Sequence, residues 1–264
     1  MKFENKVHLI LCTIIIFAMG FGYYISNNHP HAQKFKVQQA RKYQALIFDL
    51  DGTILDTDKL WKLATSPILD SHAPHLMPEE KAALVAQYQA LTIHEVWNIV
   101  KNSCSLPITF DEIIEENIKH LHTLYKKEGI DFIPYFHEFH TQVINAGLKT
   151  AIATSSQGTT IDVITSIIPL DNYFNHHIYH ADHVGKTYKP NPAVYLHAAQ
   201  MLGVAPHRCI AIEDSPSGIK AAKAAGMYCI GINTCKNKAL LQQADEIVDC
   251  FSAIDLEKLL TIAR

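Results

Sequence analysis

"ALIFDLDGTILDTD", residues 45–58, opens as a strand suited to a sheet interior and ends on carboxylates. Ala45, Leu46, Ile47 and Phe48 form the continuous apolar run of a strand covered on both faces. Asp49 and Asp51 follow one residue apart, and Gly52 and Thr53 come next. Two like charges that close repel, and leaving them uncompensated at the end of a core strand costs roughly several kcal/mol. The remainder of the chain is therefore expected to supply what cancels them.

Further apolar runs follow: "TAIATS" (150–155), "HIYHAD" (177–182), "CIAIED" (209–214) and "YCIGIN" (228–233). They alternate with helical patterns, "YFHEFHTQVINAGL", "TTIDVITSII", "PAVYLHAAQMLGV" and "SGIKAAKAAGM". Gly147, Gly203 and Gly226 stand where three of those helices should end. This β-α alternation predicts an α/β fold: a doubly wound, mostly parallel, Rossmann-like sheet with helices on both faces.

One stretch breaks the alternation. Residues 59–131 carry helical periodicity and no strand pattern. "TIHEVWNIV" puts Ile93, Val96, Trp97 and Val100 on one face, with Thr92 and Glu95 spaced as a capping box. "TFDEIIEENIKHLHTLY" repeats the arrangement with Ile114, Ile118, Leu121 and Tyr125, opened by Thr109 and Glu112. The expected organisation is a core of residues 44–58 and 132–264, interrupted by a helical cap at 59–131.

Residues 1–25 read as a separate segment. Val7 to Ile25 holds no formal charge and follows Lys2 and Lys6. As a helix it would span about 28 Å, close to the hydrocarbon thickness of a bilayer. It reads either as a cleaved signal peptide, with small residues at Ala18-Met19-Gly20, or as an uncleaved anchor. Residues 26–43 read as a polar linker in which Lys34, Lys36, Arg41 and Lys42 favour a cytoplasmic catalytic domain. The protein is accordingly expected to be membrane-associated through this segment, or exported.

Among 264 residues, 48% are hydrophobic and 19% charged, and the formal net charge of −3 holds no basic excess for nucleic acid. Six cysteines are too scattered for a disulfide framework or a zinc knuckle. His177, His180 and His183 in "HHIYHADH" suggest metal ligands, but their place on a predicted strand and loop favours a structural or surface role.

Ligands of open α/β sheets bind at the carboxyl ends of the strands. Those ends present Asp49 and Asp51, then Thr154, Ser155 and Ser156, then Glu213 and Asp214, while the loop "YKPNP" supplies Lys189. Asp49, Asp51 and Asp214 make a hard-oxygen set suited to Mg²⁺, which tolerates carboxylates, waters and a substrate phosphate. Thr154, with Ser155 and Ser156 beside it, can donate to phosphoryl oxygens, and Lys189 adds a point charge.

"DLDGT", the hydroxyl closing "AIATS", "KPNP" and "IEDS", in this order, resemble the four motifs of the haloacid dehalogenase superfamily. The helical insert resembles its subgroup with a small α-helical cap, which includes β-phosphoglucomutase and sugar-phosphate phosphatases. The resemblance covers about residues 44 to 250. It implies that Asp49 attacks phosphorus to form an aspartyl-phosphate, and that Asp51 protonates the leaving oxygen and then deprotonates water. It further implies that Thr154 binds the phosphoryl group and that Lys189 ties the nucleophile to it. Asp214 would hold Mg²⁺ with Asp49 and the Asp51 carbonyl, and Glu213 would be a ligand or would orient one.

Superfamily dehalogenases lack the second aspartate, so Asp51 argues against that reaction. The mutases carry a histidine where Trp61 stands here, and an indole performs no proton chemistry, so hydrolysis is favoured over isomerisation. "DTDKLW" and "YKPNPAVYL" resemble the hexose-phosphate phosphatases. Pro134-Tyr135-Phe136 departs from the Pro-Gly pair common before the helix that leads to the second strand. The expected substrate is a small phosphorylated metabolite, and the expected state a monomer. The competing reading is a membrane-tethered, non-catalytic binding protein, whose signature would be loss of Asp49 or Asp51.

Overall fold

A computed structural model describes residues 41–86, 93–103 and 108–261. Each apolar run of the sequence lies in one parallel sheet. Its strands are β1 (Ala45–Phe48), β2 (Lys149–Ala153), β3 (Ile178–Tyr179), β4 (Cys209–Glu213), β5 (Tyr228–Ile232) and β6 (Glu246–Val248), in the order β3-β2-β1-β4-β5-β6. Every neighbouring pair is parallel.

Side chains alternate across a strand, and this sheet sorts them by size. Leu46, Phe48, Ile152, Ile210, Ile212, Ile230 and Ile232 enter one cluster. Ala45, Ile47, Ala151, Ala153, Cys209, Ala211 and Cys229 enter the other. Against the bulky face pack α5 (Phe136–Asn145) and α6 (Gly158–Ile167), through Phe136, Phe139, Val143, Ile161 and Ile164. Against the face of small side chains pack α8 (Ala193–Leu202) and α9 (Pro216–Ala224), through Tyr195, Ala198, Ala199, Ile219 and Ala222. The short helices α7 (Asp171–Phe174) and α10 (Leu256–Leu260) add Phe174, Leu256 and Leu259 to the bulky side.

Two strands differ from expectation. The run 177–182 pairs only at Ile178 and Tyr179, because Ala181 N donates to the Ser156 carbonyl and Asp182 accepts from Gly158 N, which turns the chain. The edge strand β6 carries no apolar run of its own. It is held by its register against β5, and only Val248 is buried.

The insert consists of α1 (Asp58–His72), α2 (Pro78–Ala86), α3 (Ile93–Ser103) and α4 (Phe110–Glu128). Its entry and exit run side by side: Asp56 N donates to the Asp131 carbonyl at 2.9 Å and Ile133 N to the Ile54 carbonyl at 2.7 Å. The helices have a core of their own, in which Ile68 and Leu69 meet Val96, Trp97, Val100, Ile113 and Ile114. Leu60, Ala64, Leu121 and Tyr125 join the main core instead. Thr109 and Glu112 close a reciprocal capping box at the start of α4, which satisfies two backbone donors the helix leaves unpaired. Thr92 lies outside the described residues, as do Val7 to Ile25 and most of the expected linker. No helix among the described residues is long and apolar enough to cross a membrane.

The departure at Pro134-Tyr135-Phe136 has a backbone cost. Tyr135 begins α5 at φ 67°, in the left-handed region, with its ring exposed. A side chain there costs about 1–2 kcal/mol, of which glycine would return part after its own entropic penalty. Tyr135→Gly should therefore raise stability by about 0.5–1 kcal/mol in urea melts. A fall in stability would mean that the exposed ring contributes more than the backbone loses.

Candidate active site

The central strand β1 lies between β2 and β4, and the chain leaves these strands towards opposite faces, which opens a crevice at their carboxyl ends. Asp49 follows β1 directly, with its N–H donating to the Ile212 carbonyl at 3.0 Å. Thr154 follows β2, Glu213 ends β4, and Asp214 comes after it. All four side chains are buried.

Lys189 reaches this point from the loop before α8. Its ammonium lies 2.5 Å from Asp49 Oδ1 and 2.6 Å from Glu213 Oε1, and it stands 4.9 Å over the Tyr195 ring. Tyr195 on α8 donates to Glu213 Oε1 at 2.7 Å, and Ser215 donates to Glu213 Oε2 at 3.2 Å. Thr53 donates to Asp214 Oδ1 at 3.0 Å.

Two glycines make room for these acids. Gly52 has φ +77°, and a Cβ there would stand 2.3 Å from Asp214 Oδ2. A Cβ on Gly218 would meet the Glu213 carboxylate at 2.0 Å. The glycines of "DGT" and "SPSG" thus let carboxylates approach the backbone where no side chain fits.

One ligand oxygen from each of Asp49, Glu213 and Asp214 comes within 4.8 Å of the others. Three carboxylates facing one ammonium leave two negative charges uncompensated, the charge of one divalent cation. The same strain shows in the protonation equilibria. Burial, opposed by Lys189 and reinforced by Glu213, pushes the Asp49 carboxyl up to about 7. Burial, with Asp49 and Glu213 beside it, pushes Asp214 well above the usual carboxylate range. Burial alone would lower the Lys189 ammonium, but Asp49 and Glu213 hold it above its ordinary value. A buried, all-oxygen, electron-rich set of this kind fits a hard divalent cation.

Asp51 is turned away from that cluster. Its carboxylate accepts from Ser156 Oγ at 2.7 Å and from Tyr125 OH, on α4, at 3.3 Å. Any share of Asp51 in metal binding would therefore rest on its main-chain carbonyl. Thr154 Oγ1 accepts from Ser156 N at 3.0 Å, which leaves its own proton to donate. Ser155 Oγ accepts from Lys189 N at 3.1 Å. Residues 154–156 all line the cavity, and their hydroxyls have separate partners: Thr154 accepts from Ser156 N, Ser155 anchors the lysine loop, and Ser156 orients Asp51.

Asp49, Asp51, Thr154, Lys189 and Asp214 line a cavity of about 120 Å³ whose opposite wall is the helical insert, including Trp61, Trp97 and Asn117. The trio His177, His180 and His183 is used differently. His177 bonds the Tyr179 hydroxyl at 2.8 Å, and the rings of His180 and His183 lie 3.9 Å apart beside β3.

Residues 46–232 match the haloacid dehalogenase-like hydrolase family. The chain belongs to this family. It is similar to hexitol phosphatase A of Escherichia coli (strain K12), with 30% identity over 217 residues, 81% of this chain and 94% of that one. It is also similar to the beta-phosphoglucomutase of Bacillus subtilis (strain 168), with 28% identity over 192 residues, 72% of this chain and 83% of that one. In fold it is similar to a family IA hydrolase of Entamoeba histolytica, with a TM-score of 0.71 and 24% identity, covering 82% of this chain and 97% of that one.

Three residues of the candidate site carry no motif. Tyr125 reads as an apolar position of an amphipathic helix and Tyr195 lies unmarked in a helical stretch, yet their hydroxyls bond Asp51 and Glu213. Burial, followed by those carboxylates, holds both phenols well above their ordinary pKa, so they remain donors. Asp58, at the start of α1, lines the cavity, and burial raises its pKa against the pull of Lys62. An acid in the first turn of a helix reads as an ordinary N-terminal charge, so no sequence signal separates it from a surface residue.

Proposed function

We propose that this hydrolase is a Mg²⁺-dependent phosphatase that cleaves a small phosphorylated sugar or polyol through an aspartyl-phosphate on Asp49. The observation that carries the proposal is the division of the two aspartates: Asp49 sits in the Lys189–Glu213–Asp214 cluster, while Asp51 is held apart by Ser156 and Tyr125 over the same cavity. The phosphatase names among its relatives support the reaction class.

In this reading Asp49 attacks phosphorus and the ester P–O bond breaks. Asp51 gives its proton to the departing alcohol oxygen. A water then attacks the aspartyl-phosphate, Asp51 takes its proton, and inorganic phosphate leaves with Asp49 restored. Lys189 favours the ionised form of Asp49 against burial and holds the carboxylate in place, and Thr154 donates to a phosphoryl oxygen. Asp49, Glu213 and Asp214 would hold the Mg²⁺, which when bound offsets the charge of the phosphoryl oxygens. Trp61 lines the cavity where the related mutases place a histidine, and an indole can neither take nor give the proton that passes the phosphoryl group to a second sugar hydroxyl. The complete set of acids speaks against a non-catalytic binding protein.

Phosphate release from a panel of phosphorylated sugars and polyols, with and without Mg²⁺, tests the proposal; no release from any ester would overturn it. EDTA should abolish turnover and Mg²⁺ should restore it. Asp214→Asn removes one charge from the crowded cluster, so the fold should persist or gain stability while the Mg²⁺ needed for half-maximal activity rises about 10- to 100-fold. Full turnover in chelator would refute the metal site.

A further inference from the structure

Among the described residues of the insert, two buried side-chain polar atoms lack a hydrogen-bond partner, and both belong to residues that line the cavity. Trp97 is 0% exposed, and its indole Nε1–H has no acceptor. Asn117 is 1% exposed. Its Nδ2 donates to Thr65 Oγ1 at 3.4 Å, the Thr65 proton goes to the Trp61 carbonyl at 3.0 Å, and Asn117 Oδ1 is left with no donor. Buried polar groups are almost always paired, and apolar substitutes would be less costly here than an orphaned donor and an orphaned acceptor. Both side chains line the cavity that holds Asp49 and Asp51.

We infer that Trp97 and Asn117 form a hydroxyl-recognition subsite in the helical insert, which selects phosphate esters whose carbon chain is a polyol. The inference rests on the phosphatase reading of the cavity and names the substrate class for it. The chemistry of the pair decides the class. An alcohol oxygen accepts from the indole and its proton is donated to the amide oxygen, so adjacent hydroxyls of a polyol satisfy both groups. A carbonyl or ether satisfies only the indole, and an ammonium only the amide. A second anionic group is disfavoured, because both described cations of the cavity already have acids beside them, Lys62 with Asp58 and Lys189 with Asp49 and Glu213. Ile93, Val96 and Ile118 supply apolar surface for the C–H faces of the chain. A site built to bond a hydroxyl rejects an analogue that lacks it, because the buried groups then remain unpaired.

The test compares kcat/KM for sorbitol 6-phosphate and for phenyl phosphate, which has no aliphatic hydroxyl, in wild type and Asn117→Leu. The ratio of the two should fall about 10- to 100-fold in the variant, while its melting temperature stays level or rises because an orphaned acceptor is gone. Trp97→Phe gives the same comparison from the donor side should Asn117→Leu fail to fold. An unchanged ratio in the folded variant, whether activity falls equally or not at all, would overturn the inference. Should wild type hydrolyse neither ester, the wider ester panel decides the phosphatase reading by itself, and calorimetric binding of sorbitol 6-phosphate decides the subsite. Binding at least about tenfold weaker in Asn117→Leu supports it, and equal binding, or none by wild type, overturns it.

Discussion

Asp49→Asn should reduce turnover by at least about 10³-fold, about 4 kcal/mol of barrier, because an amide cannot form the covalent intermediate. The fold should survive. The amide oxygen can still accept from Lys189, which keeps Glu213 as its ion partner at 2.6 Å. Removing one of three buried carboxylates also relieves their mutual repulsion, so the melting temperature should hold or rise. Rapid mixing with p-nitrophenyl phosphate should show no burst of nitrophenol. A burst from this variant would place the nucleophile elsewhere.

Asp51→Asn should behave differently, because it keeps the nucleophile and loses the proton carrier. An asparagine oxygen can still accept from Ser156 and Tyr125, so the side chain should keep its place. Turnover of alkyl phosphates should fall about 10²- to 10⁴-fold. With p-nitrophenyl phosphate the leaving group needs little protonation, so the first transfer should suffer less than the second step, which needs a base to activate water. A burst of nitrophenol followed by a slow steady rate is the expected trace. Undiminished steady turnover would show that Asp51 is not the acid–base group. The contrast between the two variants separates nucleophile from proton carrier more sharply than either alone.

The composition of the candidate site was legible because its residues lie where parallel strands end. Continuous apolar runs locate β1, β2 and β4, and the residues that close each run then fall on the ligand-binding rim. Asp49, Thr154, Glu213 and Asp214 are found in this way, and Lys189 through the loop that precedes α8. The helical insert was legible from its 3.6-residue periodicity and the Thr109–Glu112 cap. The edge strand β6 was not, since three residues with one buried side chain leave no pattern to read.

Local chemistry along the chain therefore determined the fold class, the insert and the chemical inventory of the site. Partnership was decided only by the tertiary structure. Asp51 bonds a tyrosine 74 residues away on the insert, and Glu213 bonds one 18 residues away on α8. Ser155 and Ser156 are neighbours in sequence but hold the lysine loop and the second aspartate respectively. Hydrophobic periodicity reports which face of an element is buried, and burial is common to packing residues and to buried donors alike. Trp97 and Tyr125 therefore read as interior positions of amphipathic helices, and Tyr195 and Asn117 carry no signal that singles them out. What distinguishes them is the polar atom that each one's neighbours satisfy or leave unpaired, and that is fixed only when the insert closes over the ends of the strands.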